Sequence, residues 1–179
     1  MEHALDVFTM GFSNRSWEDT VEILANHHMQ RLVDIRTLPG SRRTPQFNLE
    51  NLEQKLPEAG VEYLHLKSLG GLRKPIKDST LNAAWKNDGF RAYADYMQSA
   101  EFQVALAELM AAAKTTPTAI MCSEALPQKC HRRIISDALV VHGWQVRHLL
   151  SPKRIDDHPL TPFAHVEGET ITYPAETLF

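Results

Sequence analysis

Short apolar, β-branched runs alternate along the chain with longer stretches whose apolar positions recur at helical spacing. Val7-Phe8-Thr9-Met10 reads as a first strand. Trp17, Val21, Ile23 and Leu24 then mark the apolar stripe of a helix, with Ser16 as its N-cap. Arg31 to Ile35 is short and apolar enough for a buried second strand. A short helix from Leu49 to Leu56, capped by Asn48 and stopped by Gly60, leads to a third strand from Val61 to Leu66. A long connection, Lys67 to about Asp88, holds Gly70-Gly71 and Pro75. It runs into a helix, or a broken pair of helices, from about Phe90 to Ala113. Thr118 to Met121 is a fourth strand, Cys130 to Val141 a helix closed by Gly143, and Gln145 to Leu149 a fifth strand. Beyond it the prolines at 152, 159, 162 and 174 predict a mostly irregular segment, with one small hairpin between Val166 and Tyr173 around Gly168.

Strands separated by helices need crossover connections. The pattern therefore predicts a single α/β domain, a mostly parallel sheet of about five strands with helices on both faces. That domain spans residues 1–150, and an irregular C-terminal tail, 151–179, packs on it. In such sheets ligands sit outside the carboxyl ends of the strands, so the cleft is expected there.

Composition narrows the class. With 179 residues and 43% hydrophobic content the chain fits one domain with a real core. It has no apolar run long enough to span a bilayer, which predicts no membrane partner. The start, Met1-Glu2-His3-Ala4-Leu5-Asp6, lacks the pattern of a secretory signal, so a cytoplasmic location is expected. Two cysteines, Cys122 and Cys130, are too few for a disulfide scaffold. A net charge of −3 argues against coating nucleic acid by bulk attraction. The oligomeric state is left open.

The placement of charge says more than its sum. Eleven of the 19 basic residues fall in four short segments: Arg15; Arg36, Arg42 and Arg43; Lys67, Arg73, Lys74 and Lys77; Lys129, Arg132 and Arg133. No acid interrupts Arg36 to Arg43 or Lys67 to Lys77. Merely solvated loops would mix signs, so an anionic ligand is expected, a small molecule or nucleic acid, held by Ser13, Arg15, Arg36, Ser41, Arg42, Gly70, Gly71, Arg73 and Arg132.

The candidate chemistry lies at the strand ends. Gly11-Phe12-Ser13-Asn14-Arg15-Ser16 can offer backbone N–H groups to an anion, although ordinary turn and cap chemistry more often explains such a segment. Asp34 and Arg36 stand two apart, hence on one face of the strand. Either Asp34 is a general base beside an anion clamp, or the two are a structural ion pair tying down the next loop. His65 is a candidate acid–base group, although a lone histidine there is more often structural. The double glycine after it suits a backbone that approaches a ligand closely, and a connection of this length suits a lid or binding loop. Met121-Cys122-Ser123-Glu124 and Cys130-His131-Arg132-Arg133 admit three readings. One is a nucleophilic Cys122 with Glu124 and His131. Another is a metal site of Cys122, Cys130 and His131 lacking a fourth ligand. The third is plain packing of small apolar cysteines. A helix opening at Cys130 and His131 would favour a thiolate. The phosphatase pattern of cysteine, five residues and arginine fails, because Gln128 stands at the arginine position.

At these residues the chain resembles the family labelled domain of unknown function 488. The resemblance rests on Gly11-Phe12-Ser13, on Leu32 to Arg36 with Pro39, Ser41 and Arg42, on Tyr63 to His65 with Leu69 to Arg73, and on Met121 to Glu124 with Cys130 to Arg132. It spans about residues 7–150. It implies an α/β domain that gathers these motifs at one site, in a family some of whose members are associated with DNA repair. The expected function is a hydrolase or transferase acting on a phosphorylated or nucleotide-like substrate. Its catalytic candidates are Asp34, His65, Cys122, Glu124 and His131, and no cofactor is expected. The alternatives are a non-catalytic nucleotide or nucleic-acid binder, with Trp85 or Phe47 stacking on bases, and a thiol or metal protein built on the cysteines.

Overall fold

The computed structural model describes residues 5–176. The Met1–Ala4 stretch, on which much of the leader reading rests, lies outside them. Six strands form one sheet: β1 (Asp6–Gly11), β2 (Arg31–Asp34), β3 (Glu62–His65), β4 (Thr118–Cys122), β5 (Gln145–Ser151) and β6 (Arg154–Asp157). Their spatial order is β3-β2-β4-β1-β5-β6. The first five run parallel and β6 is antiparallel to β5. The α/β domain with a mostly parallel sheet is therefore observed.

The helices are α1 (Trp17–Asn26), α2 (Leu49–Glu58), α3 (Asp88–Tyr96), α4 (Ala100–Thr115) and α5 (Arg132–Val141). Strand residues alternate between two cores, as the twofold period of a pleated strand demands. Leu32, Ala119 and Met121 face Ile23 and Leu24 of α1 and Leu52 and Leu56 of α2. Val7, Val33, Ile120 and Cys122 face Tyr93 of α3, Leu106 and Leu109 of α4 and Ile135 and Leu139 of α5. Both faces are thus covered.

Caps explain where several helices begin. Ser16 accepts the Asp19 amide at 3.0 Å, as its position predicted. Ser99, whose hydroxyl accepts the Phe102 amide, separates α3 from α4, so the broken pair of helices is the alternative observed. Asn48 precedes α2, but its side chain accepts the Ser41 amide at 2.7 Å and closes the preceding loop instead. Gly60 and Gly143 take φ of +77° and +89° just past α2 and α5, the left-handed stop that glycine adopts without strain.

The tail holds more structure than the proline pattern suggested. Besides the expected hairpin, β7 (His165–Glu167) and β8 (Thr170–Thr172), it supplies β6. Its residues also enter the core: Tyr173 is fully buried, and its hydroxyl donates to Asp137 at 2.7 Å. The connection before α3 is pinned to this tail. Asn82, fully buried, donates to Asp95 at 2.7 Å and accepts the Tyr173 amide at 2.9 Å. Trp85 packs against Phe90, Phe163 and Tyr173, with the Arg133 guanidinium 5.0 Å above its ring.

A buried polar chain crosses the sheet beneath α5. Arg132 can only donate, and it donates to the Thr9 hydroxyl at 3.0 Å. The Thr9 hydroxyl then donates to His148 Nδ1 (2.6 Å), His148 Nε2 to His158 Nδ1 (2.9 Å), and His158 Nε2 to Asp137 (2.8 Å). Each ring tautomer follows from the arginine at the head of the chain. Burial, then the neighbouring His158 and Arg132, pushes His148 down to about 3.

Candidate active site

A cleft of about 410 Å³ opens at the carboxyl end of β4, where the topology places β4 between β2 and β1. Its wall includes Arg36 and Thr37 after β2, Cys122, Ser123 and Glu124 after β4, and Lys129, Cys130 and His131 before α5. Gly71 and Leu72 from the long connection, and Asn87, Gly89 and Phe90 at the start of α3, close the opposite side. Leu38 and Leu72, 70% and 72% exposed, give the opening apolar lips.

Close backbone approach assembles this rim. Phe12 and Ser13 donate their amides to the carbonyls of Cys122 and Ser123 at 3.2 and 2.9 Å. A Cβ on Gly11 would collide with the backbone of Glu124 and Ala125, and one on Gly70 with the backbone of Thr37. One on Gly71 would stand 2.7 Å from His131 Nδ1. The double glycine therefore permits close contact between chain segments, and Gly71 also lines the cleft.

The cysteines meet at the cleft wall. Cys122 Sγ and Cys130 Sγ are 2.8 Å apart, both free thiols. Cys130 Sγ accepts the Arg132 amide at 3.4 Å and stands 3.5 Å from His131 Nδ1. Helix α5 begins two residues after Cys130, so this sulfur sits at its positive end, as expected. Burial alone would raise the Cys130 thiol. Hydrogen bonds from Cys122 and His131, with the charge field of His131 and Arg132, outweigh it and hold the group well below its ordinary value. Burial, the bond to Cys130 and its proximity push Cys122 the other way, well above.

The arginines are differently placed from the expected ring of free guanidinium groups. Arg132 is 1% exposed and donates to Thr9 and to the carbonyls of Glu124 and Ala125. Arg15 donates to the carbonyls of Gly11 and Leu150. Arg73 donates to those of Gly70 and Ser68 and lies 3.6 Å above the Tyr96 ring. These three tie loops together, because a guanidinium has five donors and a folded loop offers carbonyls nearer than any ligand. Arg42 is exposed and Ser41 accepts amides within its own turn. Neither lines the cleft, nor does Ser13.

Arg36 borders the cleft but is held by Asp34 through Nε (2.9 Å) and Nη2 (2.7 Å). Nη2 also reaches the Phe47 carbonyl at 2.6 Å, and the group lies over Phe12. Asp34, fully buried, further accepts the Arg36 amide and the Tyr63 hydroxyl at 2.6 Å. Of the two readings of this pair, the geometry is that of a structural ion pair. His65 donates its Nε2–H to the Arg36 carbonyl at 2.7 Å and lines a separate groove along β3.

Of the named catalytic candidates, Cys122, Glu124 and His131 come together at the cleft, and Asp34 and His65 do not. Cys122, Cys130 and His131 are neighbours, but no group of three or more His, Cys, Asp or Glu among the described residues is arranged to hold a metal. Trp85 and Phe47, the possible base-stacking residues, are buried in the two cores. Sequence reasoning did not name Thr37, Leu38, Ser123, Lys129, Asn87 or Phe90 for this site. Lys129 carried a signal, its place in the fourth basic segment. Asn87 and Phe90 carried none, since only the folded connection brings them here.

Fold and site together define an α/β domain with a dithiol cleft at the carboxyl edge of its sheet. The family model described as domain of unknown function DUF488 matches residues 16–139, well over half of the sequence, and the chain belongs to that family. Neither a curated protein nor a solved structure gives a match. Among the described residues no helix is long and apolar enough to cross a membrane.

Proposed function

We propose that the protein is an enzyme, a hydrolase or transferase, that binds a phosphorylated or nucleotide-like anion in this cleft and attacks it with the Cys130 sulfur. The observation that carries this reading is the environment of Cys130. Its sulfur lines the cleft, accepts the Arg132 amide and has His131 Nδ1 beside it. A thiolate is the nucleophilic form of cysteine, and a helix start with an adjacent imidazole favours it.

Cys130 attacks the electrophilic centre and forms a covalent intermediate, and His131 returns a proton to the leaving group. Water or an acceptor then releases the product, with Glu124 on the facing loop as the base. Lys129 and the cleft edge of Arg36 supply positive charge for the anion, in place of the broader arginine ring expected from sequence.

The test is turnover of phosphomonoesters and nucleotides by the wild-type protein and by Cys130→Ser, with mass spectrometry of trapped intermediates. A covalent adduct on Cys130, with turnover lost in the variant while nucleotide binding persists, supports the proposal. Undiminished turnover in Cys130→Ser removes it.

A further inference from the structure

The two sulfurs lie closer together than the nucleophile reading requires. Cys122 ends β4 and Cys130 precedes α5, eight residues apart, and their sulfurs stand at 2.8 Å. A disulfide bond is about 2.05 Å long, so less than an ångström of approach separates the pair from a bond. Each half is held by its own element: Cys122 belongs to a fully buried strand, and Cys130 is fixed by the short turn that includes Pro127 and by the Arg132 amide.

The surroundings also divide the roles. Cys130 receives a donor, the Arg132 amide, which favours sulfur as an anion. Cys122 Sγ faces an acceptor, the Glu124 carbonyl at 3.7 Å, which favours the protonated thiol. Cys130 is the more exposed of the two, 6% against 2%, and both border the cleft. A neighbouring thiol poised to resolve an oxidised one is what distinguishes a redox pair from a merely reactive cysteine.

We propose that Cys122 and Cys130 are a redox couple that reduces a hydroperoxide, with Cys130 as the attacking and Cys122 as the resolving thiol. The Cys130 thiolate attacks the distal peroxide oxygen. The O–O bond breaks, Cys130 becomes a sulfenic acid, and the alkoxide leaves and takes a proton. The Cys122 sulfur then attacks the sulfenic sulfur, an S–S bond forms, and hydroxide leaves to take the Cys122 proton as water. In sum, two thiols and one hydroperoxide give one disulfide, one alcohol and one water. Two equivalents of a small thiol restore the pair and are themselves joined as a disulfide. In the oxidised state the nucleophile of the cleft is masked.

The measurement needs no substrate of the proposed transferase or hydrolase, so the two ideas fail separately. Native protein is treated with stoichiometric hydrogen peroxide, its remaining thiols are alkylated, and its intact mass is read. The expected product has lost the mass of two hydrogens, takes up no alkylating agent and returns to the dithiol with dithiothreitol. Cys122→Ser should stop at a sulfenic acid on Cys130 that dimedone traps, and Cys130→Ser should form neither product. Stepwise oxygen addition to wild-type protein without an internal disulfide would overturn the proposal. So would a disulfide that joins two chains instead of the two cysteines of one.

Discussion

Asp34 and Arg36, adjacent on one face at the end of β2, form a two-pronged ion pair whose carboxylate is wholly enclosed. Tyr63, Phe47 and Phe12 close around it. The enclosure explains why Tyr63 is raised far above its ordinary value: burial comes first, then the charge of Asp34 and the hydrogen bond to it.

Removing one partner leaves the other charged and enclosed without compensation. Arg36→Ala is expected to lower stability by about 3–5 kcal/mol, and Asp34→Asn to act in the same direction. The double variant Asp34→Asn/Arg36→Met should recover part of that loss. Urea unfolding measures all three. If Arg36→Ala unfolds at the wild-type midpoint, the pair does not hold the fold. The consequence for activity work is direct: loss of turnover in Arg36→Ala is not evidence of a catalytic role.

Backbone contact at the rim sets a second expectation. Gly11→Ala forces a Cβ into the backbone of Glu124 and Ala125, which has no flexible end to yield. It should cost more than about 4 kcal/mol, whereas Gly40→Ala, with open space around it, should stay within about 0.5 kcal/mol. Thermal melting compares them, and equal melting temperatures would contradict the packed rim.

Acid should weaken the fold through His148. Its folded value of about 3 lies below the ordinary 6.5, so the unfolded chain takes up the proton first. The stabilisation is complete above pH 6.5 and is lost as pH falls toward 3. The slope in that window is at most about 1.4 kcal/mol per pH unit from this group. His148→Gln should flatten the corresponding part of the curve, at some cost at neutral pH because the Thr9 and His158 bonds change. Parallel stability curves for variant and wild type would remove His148 as the cause.

Asn82 joins the connection before α3 to the tail through two buried hydrogen bonds. Asn82→Ala leaves Asp95 and the Tyr173 amide each short of a partner, and a loss of about 1–3 kcal/mol is expected. Hydrogen exchange should quicken at the Tyr173 amide. Unchanged protection there would show that the tail is held elsewhere.

The order of strands and helices was legible because each carries its own local signal, a short β-branched run or a helical stripe with a cap. β6 was not. Arg154-Ile-Asp-Asp has one apolar residue, and an edge strand with a single neighbour needs no more than that. The site was legible in residue types and in the rule that it lies at the carboxyl edge. It was not legible in direction. Sequence places Arg15, Arg73 and Arg132 near the right loops, but whether a guanidinium turns outward to a ligand or inward to a carbonyl depends on contacts between segments far apart. Arg132 meets Thr9 across 123 residues and Arg15 meets Leu150 across 135. Likewise the cysteines could be named as candidates, but their distance is a product of how β4 and the start of α5 converge.

The segment beyond the family match has a consequence of its own. The match stops at residue 139, inside α5, yet β5 flanks β1 on the side away from β4, and Tyr173 fills the core beside Trp85. What this lineage shares as a recognisable signature is therefore smaller than what must fold as one body. A fragment trimmed to the signature would lose both β1 and β5, expose the edge of β4 and strip Asp137 of His158, Thr161 and Tyr173 at once. The borders of kinship and of cooperativity do not coincide in this molecule, and experiments on its chemistry should keep the longer of the two.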